Sequence, residues 1–154
     1  MSDELFKIAL GKAMAQCSRR ELCYDDIRNK LQLWGIDNNN ASKIIEILQK
    51  ENFVNESRYA AAFVRDKFKY NKWGKVKIAA HLKSKKIPSD IVREAVDSID
   101  HEQYIRFIRE LLDSHKKTVK SKNQYDLKAK LLRYGLSKGF ESSLLYDVLN
   151  EIGE

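Results

Sequence analysis

Apolar residues recur along the chain at spacings of three and four, which places them on one face of an α-helix. The clearest stripes are Leu10, Ala13, Met14 and Cys17; Ala41, Ile44, Ile45 and Leu48; and Leu144, Leu145, Val148, Leu149 and Ile152. No segment shows the alternation of apolar and polar residues that is typical of a half-buried strand. Six glycines and one proline are few for a turn-rich sheet protein. The pattern therefore predicts an all-α fold.

Short breaks divide this pattern into about nine predicted helices. Gly35 and Gly139 each follow an apolar stripe and are expected to end a helix in the left-handed conformation. Asn55 is expected to cap the start of a helix, and Asp100 with Gln103 resembles a capping box. The predicted helices are 3–20, 24–34, 38–51, 56–72, 75–85, 89–98, 101–117, 124–138 and 141–152.

The predicted helices fall into groups of three, with a period of about 50 residues that is typical of a helical repeat array. We expect tandem three-helix repeats at residues 1–54, 55–99 and 100–154. A tight turn before the last helix of each repeat resembles a helix-turn-helix motif. The last helix of the second repeat carries only Arg93 as a basic residue, and that of the third carries none. These helices are therefore poor candidates for reading a DNA groove.

The net charge of +7 is concentrated in two blocks. The first basic block, residues 65–86, carries nine basic residues and one acidic residue; the second, residues 116–139, carries eight basic residues and one acidic residue. Such clustering favours contact with a polyanion or an acidic protein, whereas solvated helix faces are the alternative explanation. The candidate binding residues are Arg65, Lys69, Lys72, Lys75, Lys77, Lys116, Lys117, Lys120, Lys122, Lys128, Lys130 and Arg133.

Trp73 and Tyr70 lie among the lysines of the first basic block. Aromatic rings between lysines can stack on unpaired bases. The alternative is that Trp73 packs at a junction between helices, and we favour packing. The nearby lysines suit phosphates or acidic side chains better than base edges.

Several short motifs, taken in order, resemble the RecX family over nearly the whole chain. They are Ser18-Arg19-Arg20-Glu21 with Gly35, Asn55-Glu56 before Arg58-Tyr59-Ala60, Lys72-Trp73-Gly74 before Lys77-Ile78, and Leu132-Arg133-Tyr134 through Lys138-Gly139-Phe140. Asn52 and Lys86 depart from the family pattern, because they stand where glycine is usual. Asn tolerates a positive φ, but Lys86 is expected to be strained or to lie in a different turn.

The resemblance implies an elongated, curved array of three-helix repeats that binds in the groove of the RecA–DNA filament. It implies a negative modulator of the RecA recombinase that inhibits ATP hydrolysis, filament extension and strand exchange in DNA repair, homologous recombination and the SOS response. The partners it implies are the RecA filament and single- and double-stranded DNA, bound without sequence specificity. We expect a monomer in the cytoplasm, with the basic blocks meeting DNA phosphates, acidic RecA surface or both.

Catalytic and metal chemistry finds little support in the sequence. His81, His101 and His115 are far apart, and no Cys or His pair has the spacing of a zinc site. Asp25 and Asp26 point about 100° apart on a helix, and a first-turn position explains both. We therefore expect no enzyme activity, no metal and no cofactor. No apolar run is long enough to span a membrane, and the amino terminus does not resemble a secretory signal.

Three other interpretations stay open at this point. The protein could be a DNA-binding regulator that recognises one operator through its helix-turn-helix units. It could be a metal-dependent nuclease acting on DNA. It could also be a scaffold whose basic face binds an acidic protein and never contacts DNA.

Overall fold

The computed structural model describes residues 2–152, and within this range the chain forms nine helices and no strand. The helices are α1 (Asp3–Arg19), α2 (Tyr24–Leu33), α3 (Asn38–Lys50), α4 (Glu56–Lys69), α5 (Lys75–Ser84), α6 (Ser89–Asp97), α7 (His101–Lys116), α8 (Gln124–Ser137) and α9 (Ser142–Ile152). The predicted all-α fold is confirmed. None of these described helices combines the length and the apolar character that a membrane span requires.

Side-chain caps explain why helices begin where the sequence predicts. Asn55 Oδ1 accepts a hydrogen bond from the Arg58 backbone N–H at 2.9 Å, at the start of α4. Asp100 Oδ2 accepts one from the Gln103 N–H at 2.9 Å, at the start of α7. Each contact satisfies an N–H group that has no partner within its own helix.

The end of α4 is the one helix boundary that differs clearly from the prediction. The helix ends at Lys69 rather than at residue 72, because the backbone reverses at Lys72. Lys72 has a φ of 58°, in the left-handed region that non-glycine residues rarely adopt. The Trp73 N–H then donates to the Lys67 carbonyl at 3.0 Å and closes the turn.

The described residues group into two compact units. The first comprises residues 2–63 and 82–92, and the second comprises residues 64–81 and 93–152. In the first unit, α1, α2 and α3 pack against one another; in the second, α7, α8 and α9 do the same. The divisions fall within α4, α5 and α6, and the three repeat boundaries drawn from the sequence stay a prediction.

The apolar faces of α1, α2 and α3 form the core of the first unit. Its members are Ala9, Ala13, Leu22, Ile27, Leu31, Ile36, Ala41, Ile44, Ile45, Leu48 and Val54. Burial of each Leu or Ile side chain contributes about 1.5–3 kcal/mol to folding. Trp34 packs at the edge of this core, and the Lys12 ammonium lies 4.6 Å from the centre of its ring.

Arg58, in the Arg-aromatic-Ala triplet, stabilises the turn that follows α3. Its guanidinium donates to the backbone carbonyls of Asn52 and Phe53, each at 3.2 Å, and forms an ion pair with Glu21 at 2.6 Å. The two residues after Arg58 are buried. The triplet therefore contributes to the folding of the first unit.

Glu56 is a buried carboxylate that caps the start of α2. Its Oε1 accepts a hydrogen bond from the Tyr24 N–H at 2.7 Å. Burial raises the pKa of Glu56, and the neighbouring charges of Asp26 and Asp25 raise it further. Burial also acts to raise the pKa of Asp26, but the hydrogen bond from Lys85 at 2.6 Å helps to bring that pKa below its usual value.

One turn geometry recurs after α2, α3, α5 and α8. In each turn an N–H group donates to the carbonyl five residues earlier, which is the Schellman motif. The donor and acceptor pairs are Ile36 and Leu31, Phe53 and Leu48, Ile87 and Leu82, and Phe140 and Gly135. The residues in the left-handed conformation are Gly35, Asn52, Lys86 and Gly139. The conformation expected of the two glycines is confirmed.

Lys86 has a φ of 61° in the same turn, so replacement by glycine should relieve backbone strain. We expect Lys86→Gly to raise the free energy of unfolding by about 1 kcal/mol, measured by urea denaturation. Little is lost with the side chain, which is 80% exposed and 3.6 Å from Asp25. The control is Lys43→Gly at an exposed position within α3, which should lower the free energy of unfolding by about 1 kcal/mol. Equal destabilisation by both changes would contradict strain at Lys86.

The raised pKa of Glu56 predicts a pH dependence of stability. The folded state binds the carboxyl proton more tightly than the unfolded state does. The stability gained from this proton is fully present below the unfolded-state pKa and declines as pH rises through the folded-state pKa. Glu56→Gln keeps an acceptor for the Tyr24 N–H and removes the buried charge. The free energy of unfolding of this variant, relative to the unchanged protein, should therefore increase from pH 4 to pH 7. A pH-independent difference in urea denaturation would show that the carboxyl group titrates normally.

Candidate nucleic-acid interface

The twelve candidate basic residues all lie in the second unit. Arg65 and Lys69 are on α4, Lys72 is in the following turn, and Lys75 and Lys77 are in the first turn of α5. Lys116 ends α7, the linker holds Lys117, Lys120 and Lys122, and α8 carries Lys128, Lys130 and Arg133. Lys75, Lys77, Lys128 and Lys130 are partly buried, and the other eight are exposed.

The start of α5 contacts the turn between α8 and α9 through the backbone. The N–H of Gly74 donates to the Lys138 carbonyl at 2.7 Å, and the N–H of Val76 donates to the Gly139 carbonyl at 3.0 Å. A Cβ atom on Gly74 would collide with the Gly139 backbone, and one on Gly139 would collide with Lys77. This close approach joins the first basic block to the second, although the blocks are far apart in sequence.

The fully buried side chain of Tyr104 completes the capping of α5. Its hydroxyl accepts a hydrogen bond from the Lys75 N–H at 2.9 Å and donates one to the Glu141 carboxylate. The ring packs against Phe68 and Phe140, with centroids 5.8 and 5.5 Å away. Burial, with the hydrogen bond to Glu141, raises the pKa of Tyr104. The hydroxyl therefore stays protonated and connects α7 to the start of α5 and to the residue that follows the α8–α9 turn.

The Trp73 ring is surrounded by other side chains of the second unit. The ammonium groups of Lys67 and Lys77 lie 4.9 and 4.6 Å from the ring centre, within the range of a cation–π interaction. The His81 ring lies 4.7 Å away, and Trp73 is partly buried. These contacts support packing as the role of Trp73, whereas the neighbouring Tyr70 is 71% exposed.

Asp126 organises the linker between α7 and α8. Its Oδ2 accepts a hydrogen bond from the Lys122 N–H at 3.0 Å and lies 3.2 Å from the Lys130 ammonium. The Lys130 ammonium also donates to the Lys120 carbonyl at 2.5 Å. The hydrogen bonds from Lys122 and Lys130 hold the pKa of Asp126 below its usual value. The carboxylate contacts Lys122 and Lys130, and Lys130 in turn contacts Lys120, so these three candidate lysines lie close together.

Helix α7 lies beside both basic blocks. Lys72 of the first block lines a cavity of about 240 Å³ together with Phe107 and Ser114 of α7. Next to Ser114, at the C-terminal end of this helix, the His115 ring stacks on Tyr134 of α8 with centroids 3.7 Å apart. That stacking places the following lysines of the second block next to α8.

Arg65 and Lys69 contact residues adjacent to them in the chain. Arg65 lies 3.9 Å from the carboxylate of the adjacent Asp66, and the Lys69 ammonium lies 5.6 Å from the centre of the Tyr70 ring. The structure therefore connects Lys75 and Lys77 to the second block more directly than it connects these two α4 residues.

Sequence reasoning missed two residues that belong to the junction between the blocks. Lys138 donates through its ammonium to the Asn71 carbonyl at 3.2 Å, and its own carbonyl accepts from Gly74. Glu141 accepts the Tyr104 hydroxyl. Lys138 stands in a basic block and could have been found by charge alone, but no local signal pairs Glu141 with Tyr104.

Within residues 2–152, no group of three or more His, Cys, Asp or Glu side chains is arranged to hold a metal ion. The absence of catalytic residues stays a prediction from the sequence. Cys17 and Cys23 are both free, and burial raises the pKa of the Cys23 thiol to about 12.

Comparisons with known proteins agree on one family. A family profile described as RecX, second three-helix domain, matches residues 55–96. The chain is 34% identical to a Regulatory protein RecX of Clostridium botulinum over 129 residues, which cover 81% of this chain and 59% of the relative. It is 30% identical to a Regulatory protein RecX of Clostridium acetobutylicum over 156 residues, which cover 99% of this chain and 72% of the relative.

A solved structure shows the same fold. The crystal structure of RecX from Lactobacillus salivarius superposes with a TM-score of 0.88 at 19% identity and covers 97% of each chain. The fold and the relatives together define a helical-repeat protein, and the chain belongs to the RecX family. It spans about three fifths of the length of the Clostridium botulinum relative.

The hydroxyl of Tyr104 should contribute much more to the free energy of unfolding than the hydroxyl of an exposed tyrosine. Tyr104→Phe keeps the packed ring but leaves the Lys75 N–H and the Glu141 carboxylate without this partner. We expect the free energy of unfolding in urea to fall by about 1–3 kcal/mol. Tyr70→Phe is the matched control and should change it by less than about 0.5 kcal/mol, because Tyr70 is exposed. Equal effects of the two changes would show that the Tyr104 bridge contributes little.

Proposed function

We propose that this protein is a non-enzymatic negative modulator of RecA that binds the RecA–DNA filament. It inhibits ATP hydrolysis, filament extension and strand exchange during DNA repair, homologous recombination and the SOS response. The relatives at 34% and 30% identity are named Regulatory protein RecX, which supports a regulatory role. In this proposal the protein acts as a monomer in the cytoplasm.

The observation that carries the proposal is the junction between the two basic blocks. Backbone hydrogen bonds from Gly74 and Val76 to the α8–α9 turn hold this part of the first block against the second block, within the second unit. A surface assembled from both blocks presents clustered positive charge to a regular polyanion such as a DNA backbone. Because contacts to phosphates carry no direct sequence information, binding to single- and double-stranded DNA is independent of sequence.

In this mechanism, the protein inhibits RecA by bridging neighbouring subunits of the filament. A protein that contacts neighbouring RecA subunits and their DNA together opposes the movements between subunits that accompany ATP turnover. Such a protein shifts the filament toward the state that it binds, by the difference in affinity between the two states. The last helices of the second and third repeats do not read base edges here, since α6 has only Arg93 as a basic residue and α9 has none.

Charge reversal of exposed residues tests the proposed surface. We expect the protein to inhibit ATP hydrolysis by RecA on single-stranded DNA. The variant Lys69→Glu, Lys72→Glu, Lys116→Glu should raise the concentration for half-inhibition at least about tenfold, because three contacts to phosphate are lost. Lys75 and Lys77 are left intact, since their ammonium groups lie over the Tyr104 and Trp73 rings and also serve packing.

The control variant is Lys7→Glu, Lys43→Glu, Lys50→Glu, which changes the net charge equally at exposed positions of the first unit. It should inhibit nearly as well as the unchanged protein. Equal losses in both variants would indicate a diffuse effect of net charge. No inhibition by the unchanged protein, with no co-sedimentation with RecA filaments, would refute the proposed function.

Salt dependence provides a second readout of the same surface. Six contacts to phosphates give a log–log slope of binding against salt of about −5 on duplex DNA and about −4 on single strands. The charge-reversed variant should show a shallower slope than its control. A flat response in the unchanged protein would exclude phosphate contacts and leave an acidic protein surface as the partner of the basic blocks.

A further inference from the structure

A groove between α8 and α9 has no role in the surface described so far. It encloses about 300 Å³ and lies wholly within the second unit. Its lining includes Tyr125, Lys128 and Leu132 of α8, and Tyr146, Leu149 and Asn150 of α9. The α8 residues follow the three- and four-residue spacing of one helix face, as do the α9 residues.

Two tyrosines at this groove are unusually exposed. Tyr125 is 86% exposed and Tyr146 is 54% exposed, although both line a concave surface. Leu132 and Leu149 are apolar residues of the same lining. Exposed aromatic rings beside a concave apolar surface are typical of sites that bind a flat ligand.

The groove differs from the aromatic site that the sequence suggested first. The Trp73 ring already contacts two ammonium groups and the His81 ring. Tyr125 of the groove, by contrast, is 86% exposed. The first site keeps one exposed ring, Tyr70, whereas the α8–α9 groove has two, Tyr125 and Tyr146.

The side chains that line the groove favour one class of ligand over another. Lys128 belongs to the second basic block, and Lys122 and Lys130 lie within a few residues of Tyr125. An apolar peptide would cover the tyrosines but would leave the Lys128 ammonium without an opposite charge, which is unfavourable when the group is desolvated. A nucleotide provides a flat ring for the tyrosines and a phosphate for the lysine. The Asn150 amide supplies both a donor and an acceptor for the edge of a base.

We propose that the α8–α9 groove binds an unpaired base of single-stranded DNA, which stacks on Tyr125 and Tyr146 while Lys128 contacts the adjoining phosphate. This inference rests on the DNA contact in the proposed function and extends it to bases. A groove of this kind binds single strands in preference to duplexes, because the bases of a duplex are stacked inside the helix and unavailable to the groove.

The test is fluorescence anisotropy of a labelled oligothymidylate and of a labelled duplex of equal length. Tyr125→Ala, Tyr146→Ala should weaken single-strand binding by about 5- to 150-fold, the range expected for one stacked base. Tyr125→Phe, Tyr146→Phe keeps both rings and should bind like the unchanged protein. Duplex affinity should stay the same in both variants, and so should the salt slope, since the lysines are unchanged.

Leu33→Ala is the control and should bind single strands like the unchanged protein, because Leu33 is 84% exposed, is not aromatic and lies in the first unit. Circular dichroism and urea denaturation establish that the alanine variant is folded. Unchanged single-strand affinity in that folded variant overturns the inference, as does an equal loss on single strands and duplexes. Unchanged single-strand affinity with lost binding to RecA filaments also overturns it and identifies the groove as a protein-docking site.

The same experiment separates this inference from the proposed function. If the alanine variant loses single-strand affinity but the unchanged protein has no effect on RecA, the groove binds bases and the regulatory proposal fails. If the unchanged protein inhibits RecA and the alanine variant binds single strands normally, the regulatory proposal stands and the groove is not a base site.

Discussion

The capping of α5 by groups from α7 and from the α8–α9 turn is the interaction on which the second unit depends. Two backbone N–H groups at the start of this helix donate to the carbonyls of residues 138 and 139, and a third donates to the Tyr104 hydroxyl. Helix N-termini need acceptors for such groups, and here distant parts of the chain supply them. The Glu141 carboxylate accepts the hydrogen bond from the Tyr104 hydroxyl. Its negative charge near the N-terminus of α5 interacts favourably with the helix dipole. Folding of the unit and assembly of its basic surface are therefore one event.

The same Schellman turn ends four helices, and only two of these turns use glycine. Asn52 and Lys86 adopt the left-handed conformation at a greater energetic cost than Gly35 and Gly139. Each turn is followed by an apolar residue at the position that packs back on its helix, which offsets part of that cost. The four turns thus keep one geometry through hydrogen bonding and burial, even where the residue in the turn is unfavourable.

Helix positions could be predicted from the sequence because apolar periodicity and caps act over a few residues. Asn55 and Asp100 cap their helices as expected, and the predicted all-α fold is confirmed. The early end of α4 was missed because nothing in the residue type of Lys72 predicts a positive φ. Clustered charge identified the basic blocks, but it could not pair them. That pairing depends on contacts such as Gly74 with Lys138, which join residues 64 positions apart.

The surroundings of the two tryptophans have a spectroscopic consequence. Trp34 belongs to the first unit and Trp73 to the second, and each has a lysine ammonium within 5 Å of its ring centre. These are the only tryptophans in the chain. Each unit therefore carries one tryptophan, and we expect its emission to change when unfolding separates the ring from the neighbouring lysine ammonium. Replacing either tryptophan with phenylalanine turns the other into a reporter of a single unit, so cooperative and stepwise unfolding are distinguishable without an added label.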